Sequence, residues 1–358
     1  MTSATTFLSD PRRRNLAVLA AIALVLVIAA FFALSAQEAQ LAPRYTPHEF
    51  FPGLAGEVRQ VAHIRIQSRA NGIIDVVLKP EKGLALPSHG DYHASFEQWQ
   101  HTLVGLASLQ ALEPKTARPE WYSAIGVQAP NHGGNGVRIT AFDDKGHVMA
   151  DLIAGKSVDI GDPSGSVGLF VRRPGEAQSW LAQSYFEPKS NPADWLDKTV
   201  MDIDRSRIRE TDVEPASGPS FSVKRDKLNQ PDFTLAELPR GRELAFPNAT
   251  DGIAAAATDF SFDDVKPAKD LNFSGAAHIV THTFDGLNVA IDVIKVNGVY
   301  WAQISAQAAK PAAEKEAREI NAHASGWAYK LAAYKGQQFM TTLDSLLKPL
   351  AAPAAPKK

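Results

Sequence analysis

Metal chemistry is the first possibility raised by His89, His93 and His101, since zinc needs three or four such ligands converging on one point. Phe96, Trp99, Leu103 and Leu106 recur at helical spacing and place His101 on the polar side of that helix, which favours a solvated histidine over a ligand. His278 and His282 share one strand face by their even spacing, with no neighbouring residue completing a zinc pattern, and read as structural. Gly155-Lys156-Ser157 matches the end of a phosphate-binding loop. The first glycine of that pattern would fall at Ala150, however, and strands are predicted on both sides, so a hairpin turn is expected. Asp143-Asp144 and Asp263-Asp264 could supply an acid and a base, yet both pairs sit in predicted turns, where aspartate bonds to local backbone. There is no Gly-x-Ser-x-Gly, no His-Glu-x-x-His and no cysteine. The sequence assigns no catalytic, cofactor-binding or metal-binding residue, and the expectation is a protein that is not an enzyme and carries no cofactor.

The elements that would hold such residues begin with an apolar run. From Leu16 to Leu34 no side chain is charged, a length that suits a hydrocarbon core of roughly 30 Å at about 1.5 Å per helical residue. Arg12, Arg13 and Arg14 precede it and Glu38 follows, so the positive-inside rule predicts an inner-membrane anchor with a cytoplasmic N-terminus and a periplasmic body. A cleaved signal peptide, for which Ala33-Leu34-Ser35 would serve, is the alternative. Across the whole chain 37 basic residues face 39 acidic ones, which gives no general attraction to phosphate backbones and disfavours nucleic acid as a partner.

The body alternates strands with isolated helices. Val61 to Ile66 and Ile73 to Leu78 read as a hairpin around Asn71-Gly72, Leu84 to Leu86 as a third strand, and the Phe96 stripe as a helix. Val137 to Ala141 and His147 to Ala154 form a second hairpin, followed by short strands at Val158 to Ile160, Leu169 to Arg172 and Trp180 to Gln183. The later half restates the plan: Val137 through Phe142-Asp143 resembles Ile279 through Phe284-Asp285. Phe142 matches Phe284 at an offset of 142, and Ile66 matches Ile208 at the same offset, which argues for duplication. Phe221 to Arg225 with Phe233 to Leu238, and Val293 to Val296 with Val299 to Ile304 around Asn297-Gly298, are further hairpins, with a helix expected near Ala249 to Phe260. Beyond Pro311 come a charged helix from Glu314 to Ala322, an extended Trp327-Tyr329-Leu331 and an amphipathic helix carrying Phe339, Leu343, Leu346 and Leu347. Trp327, Tyr329 and Tyr334 could form a docking strip, with packing onto the protein's own second unit as the alternative.

The expected fold is therefore α+β: a transmembrane helix, two duplicated units of antiparallel sheet with one helix each, and a C-terminal helical tail. The boundaries are 1–36 for the basic stub and anchor, 37–57 linker, 58–199 first unit, 200–306 second unit, 307–348 C-terminal section and 349–358 a disordered tail.

Three further segments carry a resemblance. Phe51-Pro52-Gly53-Leu54 followed by Ile64-Arg65-Ile66, Trp121-Tyr122-Ser123-Ala124-Ile125-Gly126-Val127, and Glu319-Ile320-Asn321-Ala322 with Gly326 to Leu331 are similar to the bacterial domain of unknown function 4340 family, across most of the chain after the anchor. Leu84 stands where a tryptophan is common in that family. The resemblance supplies no active site. It implies an accessory role beside an export-type ABC transporter of the gliding-motility kind, so ABC transporter subunits are the expected protein partners. A periplasmic binding module for a glycan, lipid or peptide, seated in the cleft between the two units, is the second reading.

Overall fold

A computed structural model describes residues 15, 18, 19, 22–30, 45–228 and 230–349. The chain divides into a unit of residues 1–48 and a compact body from Glu49 to Lys358. The expected membrane helix Leu16–Leu34 falls partly, and the tail 350–358 wholly, outside the described residues. Residues 22–30 are helical with Leu24, Val25, Leu26, Val27 and Ile28 exposed, and no helix among the described residues is long and apolar enough to cross a membrane.

The body is built on two antiparallel sheets with few helices. The first holds ten strands: β1 (His48–Glu49), β2 (Val61–Ser68), β3 (Gly72–Lys79), β4 (Gly83–Leu86), β5 (Tyr92–His93), β6 (Gln110–Pro114), β7 (Val137–Asp143), β8 (Val148–Val158), β9 (Val167–Arg172) and β10 (Ser179–Ser184). Their spatial order is β1-β6-β10-β9-β8-β7-β2-β3-β4-β5. The second holds β11 (Ile208–Glu214), β12 (Phe221–Lys224), β13 (Thr234–Leu235), β14 (Asp264–Pro267), β15 (Ala277–Thr283), β16 (Leu287–Val296), β17 (Val299–Ala308) and β18 (Trp327–Leu331), in the order β13-β12-β11-β15-β16-β17-β18-β14. Taken from β4 to β6, the first order reads 4-3-2-7-8-9-10-6; the second reads 13-12-11-15-16-17-18-14. The two sheets thus share one connectivity over eight strands.

Alternation fixes which face is buried. Along β15 every second residue is buried, and the same holds through most of β16 and β17, so Ile279, Val289, Ile291 and Ala302 face a core that Val280, Ala290 and Gln303 do not reach. One apolar core runs without a break from Ile64, Ile66 and Leu152 in the first sheet to Ile291 and Ile304 in the second. The helix Phe96–Ala107 closes the first sheet with Trp99, Leu103 and Leu106, and Ser95 caps its start by accepting from the Gln98 amide at 3.2 Å. On the opposite face of that sheet, Tyr122 and Val127 cover Ile153 in a separate small cluster. Arg172 lies beneath them, 4.5 Å from the Tyr122 ring and bonded to the Val127 carbonyl at 3.2 Å.

Several expectations are corrected. Gly155-Lys156-Ser157 is inside β8, where the register against β9 slips between Ala154 and Ser157, and is not a hairpin turn. A Cβ at Gly155 would stand 2.3 Å from the Ile125 carbonyl oxygen, so the glycine admits the covering segment and bends the strand. The helix expected near Ala249 to Phe260 is one turn, Asp251–Ala254, because Ala256 and Ala257 are buried in the turns that follow. The last amphipathic helix is two, Ala333–Phe339 and Leu343–Leu346, with Thr342 and Ser345 capping the second start. Ile66 pairs with Ile139 and Ile208 with Thr283. Equating Phe142 with Phe284 equates Ile139 with Thr281, whose partner is Thr211, so Ile66 corresponds to Thr211 and its offset to Ile208 was coincidence. β18, placed by the sequence in a separate C-terminal section, bridges β17 and β14 inside the second sheet.

Candidate functional site

The two sheets meet at a corner. The turn Pro87–His89 between β4 and β5 packs against β14, and the approach is close: a Cβ on Gly90 would lie 2.9 Å from Pro267 Cγ. Gly90 also has φ of +70, so its backbone and the contact both demand glycine. Tyr92 of β5 is 1% exposed and stands edge-on to Trp327 at 5.1 Å. Phe262 and Tyr329 continue this aromatic block with ring centroids 4.8 Å apart. Its polar ends are satisfied, since the Tyr92 hydroxyl donates to the Asp197 carbonyl at 2.9 Å and the Tyr329 hydroxyl to the His323 carbonyl at 3.2 Å. Burial pushes both phenols well above their usual range.

Beside this block opens a cleft of about 530 Å³ that takes His89 from the first sheet, Asp194 and Lys198 from the connection, and Asp263, Asp264 and Lys330 from the second. His89 Nε2 lies 3.1 Å from Asp264 Oδ1. That bond holds the Asp264 carboxyl below the usual range, against the opposing effect of burial. Lys198 donates to the Phe262 carbonyl at 2.6 Å with its ammonium 4.2 Å from the Phe262 ring centroid. Burial pulls this amine below its usual range, while Asp263, Asp264 and Asp194 act the other way. The cleft therefore presents anions and cations side by side around an aromatic floor, a lining suited to binding a polar ligand.

The histidines singled out from sequence do not converge. His89 pairs with Asp264 and His93 faces the His323 ring at 5.5 Å. His101 is exposed, beside a hollow shared with Glu97 and Asp194. Among the described residues no group of three or more His, Cys, Asp or Glu is arranged to hold a metal. His278 and His282 do have acids, supplied across the sheet: Asp292 lies 2.6 Å from His278 Nδ1, and Asp212 lies 2.9 Å from His282 Nε2, with Asn288 at 2.8 Å on the other ring nitrogen. Asp143 caps its turn by accepting from the Lys145 and His147 amides at 2.9 and 2.7 Å. In the aromatic strip, Tyr329 is fully buried and Trp327 packs on Tyr92, while Tyr334 is 69% exposed. Sequence reasoning missed Asp194, in the short 3-10 turn Pro192–Trp195, and Lys198, in the connection that follows it; the only signal was Trp195 between charged residues, which is fully buried.

A family model described as Domain of unknown function (DUF4340) matches residues 85–271, more than half of the chain. No curated protein and no solved structure matches it.

Proposed function

The chain belongs to the DUF4340 family, and from that premise we propose that it is a non-enzymatic, membrane-anchored accessory subunit whose two coupled sheets form a scaffold in the periplasm for an ABC-type export or envelope assembly. The observation that carries the reading is the unbroken core joining two sheets of the same strand order. A body of that kind keeps two large faces in fixed relation, which is what a scaffold requires. We read the shared connectivity as an internal duplication, with the helix Phe96–Ala107 and the single turn Asp251–Ala254 at corresponding points of the two repeats. The anchor rests on the uncharged run Leu16–Leu34 behind Arg12, Arg13 and Arg14, and the exposed apolar residues Leu24 to Ile28 support it. Crosslinking of the tagged full-length chain in native membranes, followed by mass spectrometry, tests the role. Recovery of a permease or ATPase subunit is the expected result; a chain that fractionates away from membranes, or comes out alone, sinks it.

The corner cleft favours a second reading, a binding module for a glycan or peptide, because its approximate 530 Å³ brings His89, Lys198 and Asp194 around an aromatic floor. Glycan and peptide arrays probed with the full-length protein and with Lys198→Met separate the two readings. Binding that is lost in the variant supports the module, and equal signal from both rules the cleft out as its site.

A further inference from the structure

A second cavity, about 650 Å³, lies between the turn at Thr258 and Asp259, the helix Asp251–Ala254 and the helix Ala333–Phe339. Its chemistry centres on Lys335, which is only 6% exposed. The amine donates to the Thr258 carbonyl at 3.0 Å, a single backbone acceptor for a group that carries three donors when charged. Burial pushes this amine below its usual range, with the Asp259 carboxylate acting in the opposite sense. The backbone beneath it is pinned: a Cβ on the neighbouring Gly336 would stand 2.1 Å from Tyr300 Cγ, and Phe339 is fully buried. Asp259 lines the same cavity with φ of 48, a left-handed conformation that aspartate and asparagine adopt more readily than other side chains and that recurs at functional sites.

A buried amine lining a cavity whose wall also carries the Asp259 carboxylate has the makings of a carbonyl nucleophile. We propose that Lys335 and Asp259 form a carbonyl-binding site, at which Lys335 condenses reversibly with a small aldehyde. The Nζ lone pair bonds to the carbonyl carbon to give a carbinolamine. The carbon–oxygen bond then breaks, and the oxygen leaves as water carrying both protons of the neutral amine, relayed by the Asp259 carboxylate, so that an imine remains. This site lies apart from the corner cleft and goes beyond a scaffold role. A purely structural Lys335, tying down the Thr258 turn, would lack this reactivity.

The test incubates the detergent-solubilised full-length protein with glycolaldehyde and cyanoborohydride at neutral pH, which reduces any imine to a stable secondary amine, and maps the adducts by peptide mass spectrometry. Lys315, whose side chain is 83% exposed, serves as the internal reference. The site predicts an adduct on Lys335 that accumulates about tenfold or more faster than on Lys315. Asp259→Asn, which tolerates left-handed backbone, should slow labelling of Lys335 by about tenfold while leaving Lys315 unchanged. Labelling of Lys335 no faster than Lys315 in protein with an unaltered unfolding midpoint overturns the proposal, as does an Asp259→Asn chain that labels at the original rate.

Discussion

Two positions show how single residues decide local stability in this protein. At Gly155 the constraint is steric, since added carbon would meet the Ile125 carbonyl at 2.3 Å. Gly155→Ala should therefore lower stability by about 1–3 kcal/mol through displacement of the covering segment, as read by urea denaturation. At Asp264 the constraint is electrostatic. Its carboxyl is held below the ordinary 3.8 by His89, so the unfolded chain binds the proton more readily. The stabilisation is present above the unfolded value and is lost as pH falls below about 4 through the folded one. Because Asp264 is 43% exposed, solvent screening limits this to under about 1 kcal/mol. His89→Gln should flatten the acid limb of the stability curve by that amount, and an unchanged limb would show that the pair does not contribute. Neither constraint could be read from the chain alone: Gly155 looked like a turn because glycine near polar residues usually marks one, and Asp264 finds its histidine 175 positions away.

Among the elements, those with a local signature were legible and those defined by distant partners were not. The hairpin β16–β17 turns at Asn297 and Gly298, with φ of 51 and 83, as an Asn-Gly pair between alternating apolar residues requires. Gly298→Ala puts a Cβ where φ is positive and should destabilise by about 1 kcal/mol, measured as a lower midpoint at unchanged denaturant sensitivity. By contrast, β6 and β14 each end on a proline, are short, carry charge and show little alternation, so their sequences do not announce strands; pairing to β10 and β18 makes them so. The alanine stretch after Asp251 misled in the other direction. High helix propensity there yields to burial of Ala254, Ala256 and Ala257 against the second sheet. The candidate cleft shares this fate, for Asp194 and Lys198 occupy a connection whose position only the assembled sheets determine.

At the scale of the molecule, the aromatic block around Tyr92 is one of the places where the shared core passes from the first sheet to the second. Tyr92→Ala removes a fully enclosed ring that touches Trp327, Phe262 and Tyr329, and should cost about 3–5 kcal/mol. Tryptophan fluorescence and far-UV circular dichroism should unfold in coincidence in the parent chain and separate in the variant. Coincident transitions in both would mean that the core elsewhere couples the sheets. The same junction has a consequence for how the protein behaves in company. A sheet edge is a template for another chain, and long bare edges invite fibrous self-association. Here the corner at β4 and β5 is set against β14, while the far margins are β1 and β13, each only two residues long. Among the described residues a body finished in this way offers a neighbour little ladder to extend, so copies crowded together should stay separate where an open sheet would polymerise.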